Sequence, residues 1–210
     1  MLRNSVSPIA ISPLKNRVSM RILRLCAVVC FLLFSGPCWQ QPAQAEMNEK
    51  LLEAEYRLKA AFLYNFGKFV TWPEDGEIEE MVLGVWNPRP FGGILQTMSD
   101  KRIRGRPIRV ITVSSAEEAR QCHILFLNAP RKVAEAVLAE LQNAPILTVG
   151  EYHEFGNNGG LLSFFPEKGR VRFKLYQPNV EASPLRFSSE LMQLATIVDL
   201  PSKAPAKYAR

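Results

Sequence analysis

Short apolar runs separated by stretches with helical periodicity constrain the fold of this chain most strongly. The runs 82–86, 124–127 and 146–149 do not alternate with charged residues, which is typical of strands buried on both faces. Strands that alternate with helices along a chain usually form a parallel sheet with helices on both faces. We therefore predict one three-layer α/β domain with a mostly parallel central sheet. Its first four strands are predicted at Met81–Trp86, Ile108–Val113, His123–Asn128 and Ile146–Val149.

The last third of the chain predicts a hairpin followed by a helix. Leu161–Phe165 and Arg170–Tyr176 are strand-like segments separated by a short turn. In the second segment apolar residues alternate with basic ones, which favours an antiparallel, half-exposed edge of the sheet. Leu185–Val198 has a helical pattern and predicts the final helix.

A long helix rich in aromatic residues is predicted before the first strand, over residues 49–70. Its apolar residues recur at spacings of three and four, and Trp72-Pro73 ends it because a residue before proline avoids helical backbone. The aromatic side chains cannot all face one core. Either the helix simply covers the sheet, or part of it contacts a partner or a second copy, since interface cores are rich in aromatic residues. The candidate partner-binding residues are Lys59, Tyr64, Asn65, Lys68 and Trp72.

Residues 1–45 predict a cleaved secretory signal peptide. A basic region without acids is followed by the apolar run 25–36 and by Ala43-Gln44-Ala45, a small-x-small cleavage site. The apolar run is shorter than the roughly 20 residues of a spanning helix, and a short membrane anchor is the alternative. The rest of the chain is predicted to be one domain over residues 46–200 with a polar tail over 201–210.

Removal of this leader changes the charge and cysteine arguments. The whole chain has a net charge of +6, but the leader holds five of the 26 basic residues and none of the 20 acidic ones. The exported part would be nearly neutral, so its charge gives no reason to expect nucleic-acid binding. Cys122 would be the one remaining cysteine, which excludes an internal disulfide. We predict a small buried side chain there; a redox-sensitive thiol or an intersubunit disulfide is the alternative.

No motif in the sequence assembles a catalytic or metal-binding set. The chain has two histidines, His123 and His153, and neither has a partner at metal-ligand spacing. His123 follows Cys122, but neighbours on a strand point to opposite faces and cannot easily share a site. We expect no catalytic residue, metal or cofactor, and a binding or regulatory module rather than an enzyme. The basic segment Lys101–Arg109 is either a solvated loop or a contact for an anionic ligand or an acidic partner.

A crevice at the carboxyl ends of the strands is the second candidate site, because open α/β sheets bind ligands there. It gives the second function class, a small-ligand carrier without a protein partner. A hydrolase with an unrecognised histidine site ranks third. The candidate crevice residues are Asn87, Phe91, Ser114, Asn128 and Gly150.

The segment KAAFLYNFGKFVTWP, residues 59–73, resembles the opening signature of the YfiR-like family of exported proteins. The resemblance continues in order along the chain and covers roughly residues 55–196. Its further parts are segments 84–91, 105–110, 122–127 and 146–149, then Phe155 with Gly159-Gly160, segment 171–173 and segment 185–195.

This resemblance implies a three-layer α/β protein of the periplasm that tends to dimerise. It also implies a regulatory role, because the namesake of the family restrains an inner-membrane diguanylate cyclase by engaging its periplasmic sensor domain. Loss of that restraint raises cyclic di-GMP and favours biofilm. The implied partner is therefore an inner-membrane sensor, a diguanylate cyclase or a related protein, and the cleaved chain would not itself span the membrane. Redox control through internal disulfides, known in the family, is not open to a chain with Cys122 alone.

Overall fold

The computed structural model describes residues 41–73 and 75–199. The described residues from Asn48 to Asp199 form one compact unit, and the first residues of the long helix precede it. The helices are α1 (Gln41–Phe69), α2 (Gln96–Ser99), α3 (Ala116–Ala119), α4 (Arg131–Glu140), α5 (Gln177–Ala182) and α6 (Ser189–Leu194), with 3-10 turns at Asp75–Glu77, Arg89–Leu95 and Gly156–Asn158. The strands are β1 (Val70–Thr71), β2 (Met81–Trp86), β3 (Arg102–Ile103), β4 (Arg106–Val113), β5 (Ile124–Leu127), β6 (Leu147–Gly150), β7 (Leu162–Glu167), β8 (Arg170–Tyr176), β9 (Arg186–Phe187) and β10 (Thr196–Val198).

The described residues form a mixed sheet of eight strands in the order β10-β8-β7-β6-β5-β2-β4-β3. The five neighbouring strands β4, β2, β5, β6 and β7 are parallel to one another. At one end of this group β8 is antiparallel to β7, and at the other end β3 is antiparallel to β4. The prediction of a mostly parallel α/β sheet with a C-terminal hairpin is confirmed. The hairpin is not the outermost part of the sheet, because β10 pairs in parallel with β8 on its outer side.

Alternate residues of the central strands pack into two different apolar clusters. In β5, Ile124 and Phe126 join the cluster that contains α1, whereas Leu125 and Leu127 join the cluster that contains α4. Successive side chains of a strand point to opposite faces of its sheet, so helices pack against both faces. This two-sided burial is the reason that the strand sequences show no alternation.

Helix α1 buries one stripe of side chains against the sheet. Tyr56, Leu63 and Phe66 are at most 5% exposed, and their spacing of three and seven places them on one face. The helix ends at Phe69, before Trp72-Pro73, as predicted, and it begins earlier than residue 49. Within the described part of the chain, no helix combines the length and apolar character needed to cross a membrane. The first 40 residues of the predicted leader and the predicted tail lie outside the described residues.

The prediction of one helix over Leu185–Val198 is wrong. Only Ser189–Leu194 is helical, and its N-terminus is fixed by the Ser188 hydroxyl, which accepts a hydrogen bond from the Leu191 amide. The preceding strand β9 pairs antiparallel with β1, and the Ser188 amide donates to the Phe69 carbonyl at the end of α1. The following Thr-Ile-Val run is β-branched and forms β10 instead of continuing the helix. Helix α5 is a further element that the sequence patterns did not predict.

Candidate functional site

An aromatic ring that contacts two lysine amino groups marks an exposed patch beside α1. The Tyr64 ring has the Lys68 amino group 4.1 Å and the Lys101 amino group 5.1 Å from its centroid. The Tyr64 hydroxyl donates to the Arg102 carbonyl oxygen at 3.2 Å, which fixes the ring against β3. Asn65, Lys68, Lys101 and Arg102 are exposed, and Tyr64 is half-buried. These five residues are called the Tyr64 patch below.

The Tyr64 patch contains residues from two candidate regions that are distant in sequence, the aromatic helix and the basic segment. The aromatic helix supplies Tyr64, and the basic segment Lys101–Arg109 supplies the opposite side of the patch. Further along that segment, arginines are neutralised: Arg106 lies 3.1 Å from Asp75, and Arg109 lies 2.6 Å from Glu80. The basic segment is therefore divided into a half whose arginines form ion pairs and a half, Lys101 and Arg102, for which no ion pair is seen among the described residues. This second half faces Tyr64 and gives the patch a positive charge.

Two of the predicted partner-binding residues are buried instead. Lys59 and Trp72 are each 4% exposed, so neither presents its side chain to a partner. Trp72 donates its indole N–H to the His123 carbonyl oxygen at 3.2 Å, and its ring meets the His123 ring edge-on. Lys59 lies on the same face of α1 as Tyr56, and that face packs against the sheet.

Lys59 belongs to a polar cluster at the carboxyl ends of β5 and β6. Its amino group lies 2.7 Å from Glu151 and 2.5 Å from Glu55. The Tyr56 hydroxyl donates to Glu151 at 3.3 Å and accepts from the Asn128 amide at 3.4 Å. Burial, and then the charge of Glu151, raise the pKa of Tyr56 well above its usual value, so this hydroxyl stays protonated. Tyr56, Lys59, Asn128 and Glu151 are called the Glu151 cluster.

The structure brings together three of the five predicted crevice residues. Asn128 bonds to Tyr56, and the Phe91 ring meets the Tyr56 ring edge-on with centroids 4.9 Å apart. Gly150 directly precedes Glu151, and it must be glycine because a β-carbon there would lie 2.3 Å from the Phe155 ring.

The other two crevice residues have local structural roles. The Ser114 amide and hydroxyl both bond to the Glu118 carboxylate at the start of α3, and Asn87 is an exposed turn residue with φ of 57°. Sequence reasoning missed Tyr56 and Glu151 as members of this site. A signal was present, because Lys59 interrupts the apolar stripe of α1 and must find a buried partner there.

A groove of about 720 Å³ runs between α1 and the β7–β8 hairpin. Helix α1 supplies Leu51, Leu58 and Phe62 to its wall, and the hairpin supplies Phe165 and Val171. Two members of the Glu151 cluster line it as well, so the groove is mostly apolar with a polar end. This shape suits either an apolar small molecule or the apolar face of a helix.

The Cys122-His123 pair forms no reactive site. Cys122 is buried, so the prediction of a small buried side chain is confirmed. Burial raises the pKa of its thiol to about 11, which favours the less nucleophilic protonated form. His123 uses its Nδ1 atom to accept the Val82 amide at 3.0 Å, and burial lowers its pKa. Both residues precede β5: Cys122 packs in the cluster that contains α4, whereas the His123 ring meets Trp72 of the other cluster, so the two side chains lie towards opposite faces of the sheet. Among the described residues, no group of three or more potential metal ligands converges.

Comparison with known proteins gives one informative match. The family model described as YfiR/HmsC-like matches residues 56–196, which is more than half of the chain. No curated protein matches the chain significantly. A solved structure of a conserved domain protein from Vibrio cholerae O1 biovar El Tor strain N16961 is similar, with a TM-score of 0.43 and 10% identity. The aligned region covers 68% of this chain and 59% of that one.

Proposed function

The chain belongs to the YfiR/HmsC-like family, and on that premise we propose that it restrains an inner-membrane diguanylate cyclase from the periplasm. The family consists of periplasmic regulators of such cyclases, and the match over residues 56–196 is the observation that carries the proposal. In this proposal the predicted leader, residues 1–45, exports the chain, and the folded domain binds the periplasmic domain of the cyclase. Binding holds the enzyme in its inactive state, which lowers cyclic di-GMP and disfavours biofilm. A regulator of this kind must bind the inactive state of the cyclase more tightly than the active one.

The Tyr64 patch is the surface that we assign to this contact. An aromatic ring at its centre and charged groups at its rim are the arrangement that protein interfaces favour. The Lys68 and Lys101 amino groups both lie over the ring, and both residues are exposed. An acidic segment on the sensor would complete their charge, which favours fast and specific association. Lys59 and Trp72 fix α1 and the segment after it through their contacts with Glu151 and His123.

The test measures cyclic di-GMP in the source cell. Deleting the gene should raise cyclic di-GMP, and the unaltered gene should restore the original level. The double variant Tyr64→Ala/Lys68→Glu should fail to restore it while reaching the same abundance and thermal stability. A Lys132→Glu variant, which reverses an exposed charge on α4, should restore it fully.

The outcomes of this test separate the function from the surface. An unchanged cyclic di-GMP level after deletion would contradict regulation of a cyclase. Full restoration by the Tyr64 and Lys68 double variant would contradict the Tyr64 patch and leave the regulatory function standing. If the patch makes the contact, the dissociation constant for the purified periplasmic domain of the affected cyclase should rise at least tenfold in the double variant and stay unchanged in Lys132→Glu. A tenfold rise corresponds to a loss of about 1.4 kcal/mol of binding free energy.

A small-ligand carrier is the second candidate, and the groove beside the Glu151 cluster is the observation that favours it. Its volume of about 720 Å³ lies in the range of small-molecule sites, and its polar end provides a fixed carboxylate and ammonium group. A thermal-shift screen of amino acids and aromatic metabolites should then find a stabilising compound whose effect disappears in Glu151→Gln.

We also propose that the chain forms a homodimer.

A further inference from the structure

The groove between α1 and the β7–β8 hairpin has apolar walls that are open to solvent. Its α1 wall is a stripe whose members recur at spacings of three and four: Leu51, Ala54, Leu58 and Phe62. Leu51 and Leu58 expose 61% and 43% of their surface, although a helix that covers a sheet normally has a polar outer face. The hairpin wall includes Phe165 and Val171. Exposed apolar walls around a concavity of about 720 Å³ indicate a site for an apolar group.

The side chains of the groove offer no neutral hydrogen-bonding groups to a ligand. Among the described residues that line it, every polar side chain is charged, and none carries a hydroxyl, an amide or a ring nitrogen. Sugars and nucleobases need such donors and acceptors, because a polar group buried without a partner costs free energy. The groove therefore suits a ligand whose body is a hydrocarbon and whose polar group is confined to one end.

The inner end of the groove, next to β6, disfavours an anion. There the Lys59 amino group lies 2.7 Å from Glu151 and 2.5 Å from Glu55, so two carboxylates share one cation. The remaining negative charge repels a second anion at this end. An anionic group on the ligand would therefore lie at the other end.

The outer end of the groove, at the tip of the hairpin, is basic. Gly150, at the end of β6, pairs with Ser163 of β7. Glu167, four residues further along β7, pairs with Arg170, which at the rise of a strand places Arg170 about 13 Å from the level of Gly150. Arg170 has no ion pair among the described residues, and Arg172 reaches Glu167 only at 3.9 Å. Two exposed guanidinium groups without a close carboxylate favour an anion, which a guanidinium binds with paired N–H donors.

We propose that the groove binds a single-chain amphiphile with an anionic head group, the chemistry that fatty acids and lysophospholipids share. Its hydrocarbon chain lies between Leu58 and Phe165, and its head group meets Arg170 and Arg172. Burial of the chain removes apolar surface from water and drives binding, while the arginines fix the orientation of the head. This inference rests on the second candidate function, for which it names the ligand class, and it uses no residue of the Tyr64 patch.

Isothermal titration calorimetry on the protein expressed from the full chain tests the head and the chain of the ligand separately. Laurate, kept below its micelle concentration, should bind. Butyrate keeps the carboxylate and shortens the chain, whereas dodecyltrimethylammonium keeps the chain and reverses the charge. Each of these two compounds should bind at least about tenfold more weakly than laurate. Lysophosphatidylglycerol distinguishes the two sources: tighter binding than laurate indicates a lysophospholipid and weaker binding a fatty acid, and either order supports the amphiphile site.

A matched pair of charge variants locates the head group. Arg170→Ala/Arg172→Ala should weaken laurate binding at least about tenfold, because both guanidinium groups at the outer end are removed. Arg89→Ala/Lys132→Ala removes the same charge from exposed positions outside the groove and should leave laurate binding unchanged. Circular dichroism checks that both proteins are folded.

A matched pair of leucine variants locates the hydrocarbon chain. Leu51 lies in the wall of the groove and Leu194 lies on α6, and both are 61% exposed. Leu51→Gln should weaken laurate binding at least about threefold, because an amide replaces apolar surface in the wall. Leu194→Gln should leave it unchanged.

Laurate binding that persists in Arg170→Ala/Arg172→Ala, or equally tight binding of dodecyltrimethylammonium, would overturn the proposal. So would cosedimentation with phosphatidylglycerol vesicles in a protein that does not bind laurate, because the exposed stripe would then contact a bilayer. If laurate fails and an amino acid stabilises the protein through Glu151, the carrier function stands without this ligand class. The cyclic di-GMP test involves neither the groove nor its ligand, so its failure leaves the laurate result standing.

Discussion

Replacing Lys59 by methionine tests whether the buried ion pair stabilises the fold. Lys59→Met keeps a side chain of similar length on the buried face of α1 and removes its charge. The side chain of Lys59 is 5% exposed and that of Glu151 is 23% exposed. The change therefore leaves a carboxylate that has lost its cation in a poorly solvated position. We expect Lys59→Met to lower the free energy of unfolding.

The expected size of this loss follows from what remains around Glu151. Removing one member of a fully buried pair costs about 3–5 kcal/mol. Here the Tyr56 hydroxyl still donates to the Glu151 carboxylate, and water reaches part of it. The methionine also fills the space of the lysine stem, so no cavity is added. We therefore expect a loss of about 2–3 kcal/mol, which lowers Tm by roughly 4–12 °C for a domain of this size.

Urea unfolding followed by circular dichroism measures this loss, with Lys68→Met as the matched control. Lys68 lies on the same helix and is exposed, so its change should cost less than about 0.5 kcal/mol. Adding Glu151→Gln to Lys59→Met should recover at least about 1 kcal/mol, because it removes the unpaired carboxylate. Equal stability of Lys59→Met and Lys68→Met would refute the reasoning. So would a further loss on adding Glu151→Gln.

Three other changes test the core and its dependence on pH. Phe66→Ala should cost about 3–5 kcal/mol in urea unfolding, because the ring is 1% exposed, and a loss under 1 kcal/mol would show a relaxed core. Gly84→Ala should cost about 1–3 kcal/mol, since its β-carbon would lie 2.3 Å from the Cys122 sulfur; adding Cys122→Ala should recover part of the loss, and no recovery would contradict this contact. The lowered pKa of His123 means that the unfolded chain binds its proton more readily than the folded chain does. The stability that this difference contributes is present above pH 6.5 and is lost as the pH falls through the folded pKa. Tm followed from neutral to acidic pH should therefore depend less on pH in His123→Gln than in the unaltered protein; equal slopes in the two proteins would contradict this reasoning.

Much of the sheet could be predicted because its strands are buried on both faces. A run such as Ile124–Leu127 has no polar alternation, and only a two-sided core gives it that composition. The end of α1 could be predicted for a local steric reason, since Pro73 restricts the residue before it. The buried strands and the end of α1 depend on residues that are close in sequence, so the amino-acid pattern predicts them.

The C-terminal segment could not be predicted because its structure depends on distant partners. The pattern of Leu185–Val198 fits a helix, but β9 exists only because β1 lies beside it, and β10 exists only because β8 offers an edge. Helix propensity is a weak preference that tertiary contacts routinely override.

The candidate site shows the same limit. Lysine is seldom buried, so the sequence favours a surface position for Lys59, and it does not show that Glu151, from the end of β6, reaches the Lys59 amino group. Tyr64 and the basic segment were each identified, but their contact through Arg102 depends on the tertiary structure.

The small β1–β9 pair has a consequence for the order in which the chain folds. Val70 pairs with Phe187 more than one hundred residues later, and the Ser188 amide bonds to the last turn of α1. A chain that is still being synthesised has α1 but not the segment that secures its end, and closing so long a loop is slow. The C-terminal end of α1 therefore gains these backbone contacts only when nearly all of the protein has been made. A chain cut short before Arg186 would lack both of these contacts, and the last turn of α1 would be the first part of the helix to fray.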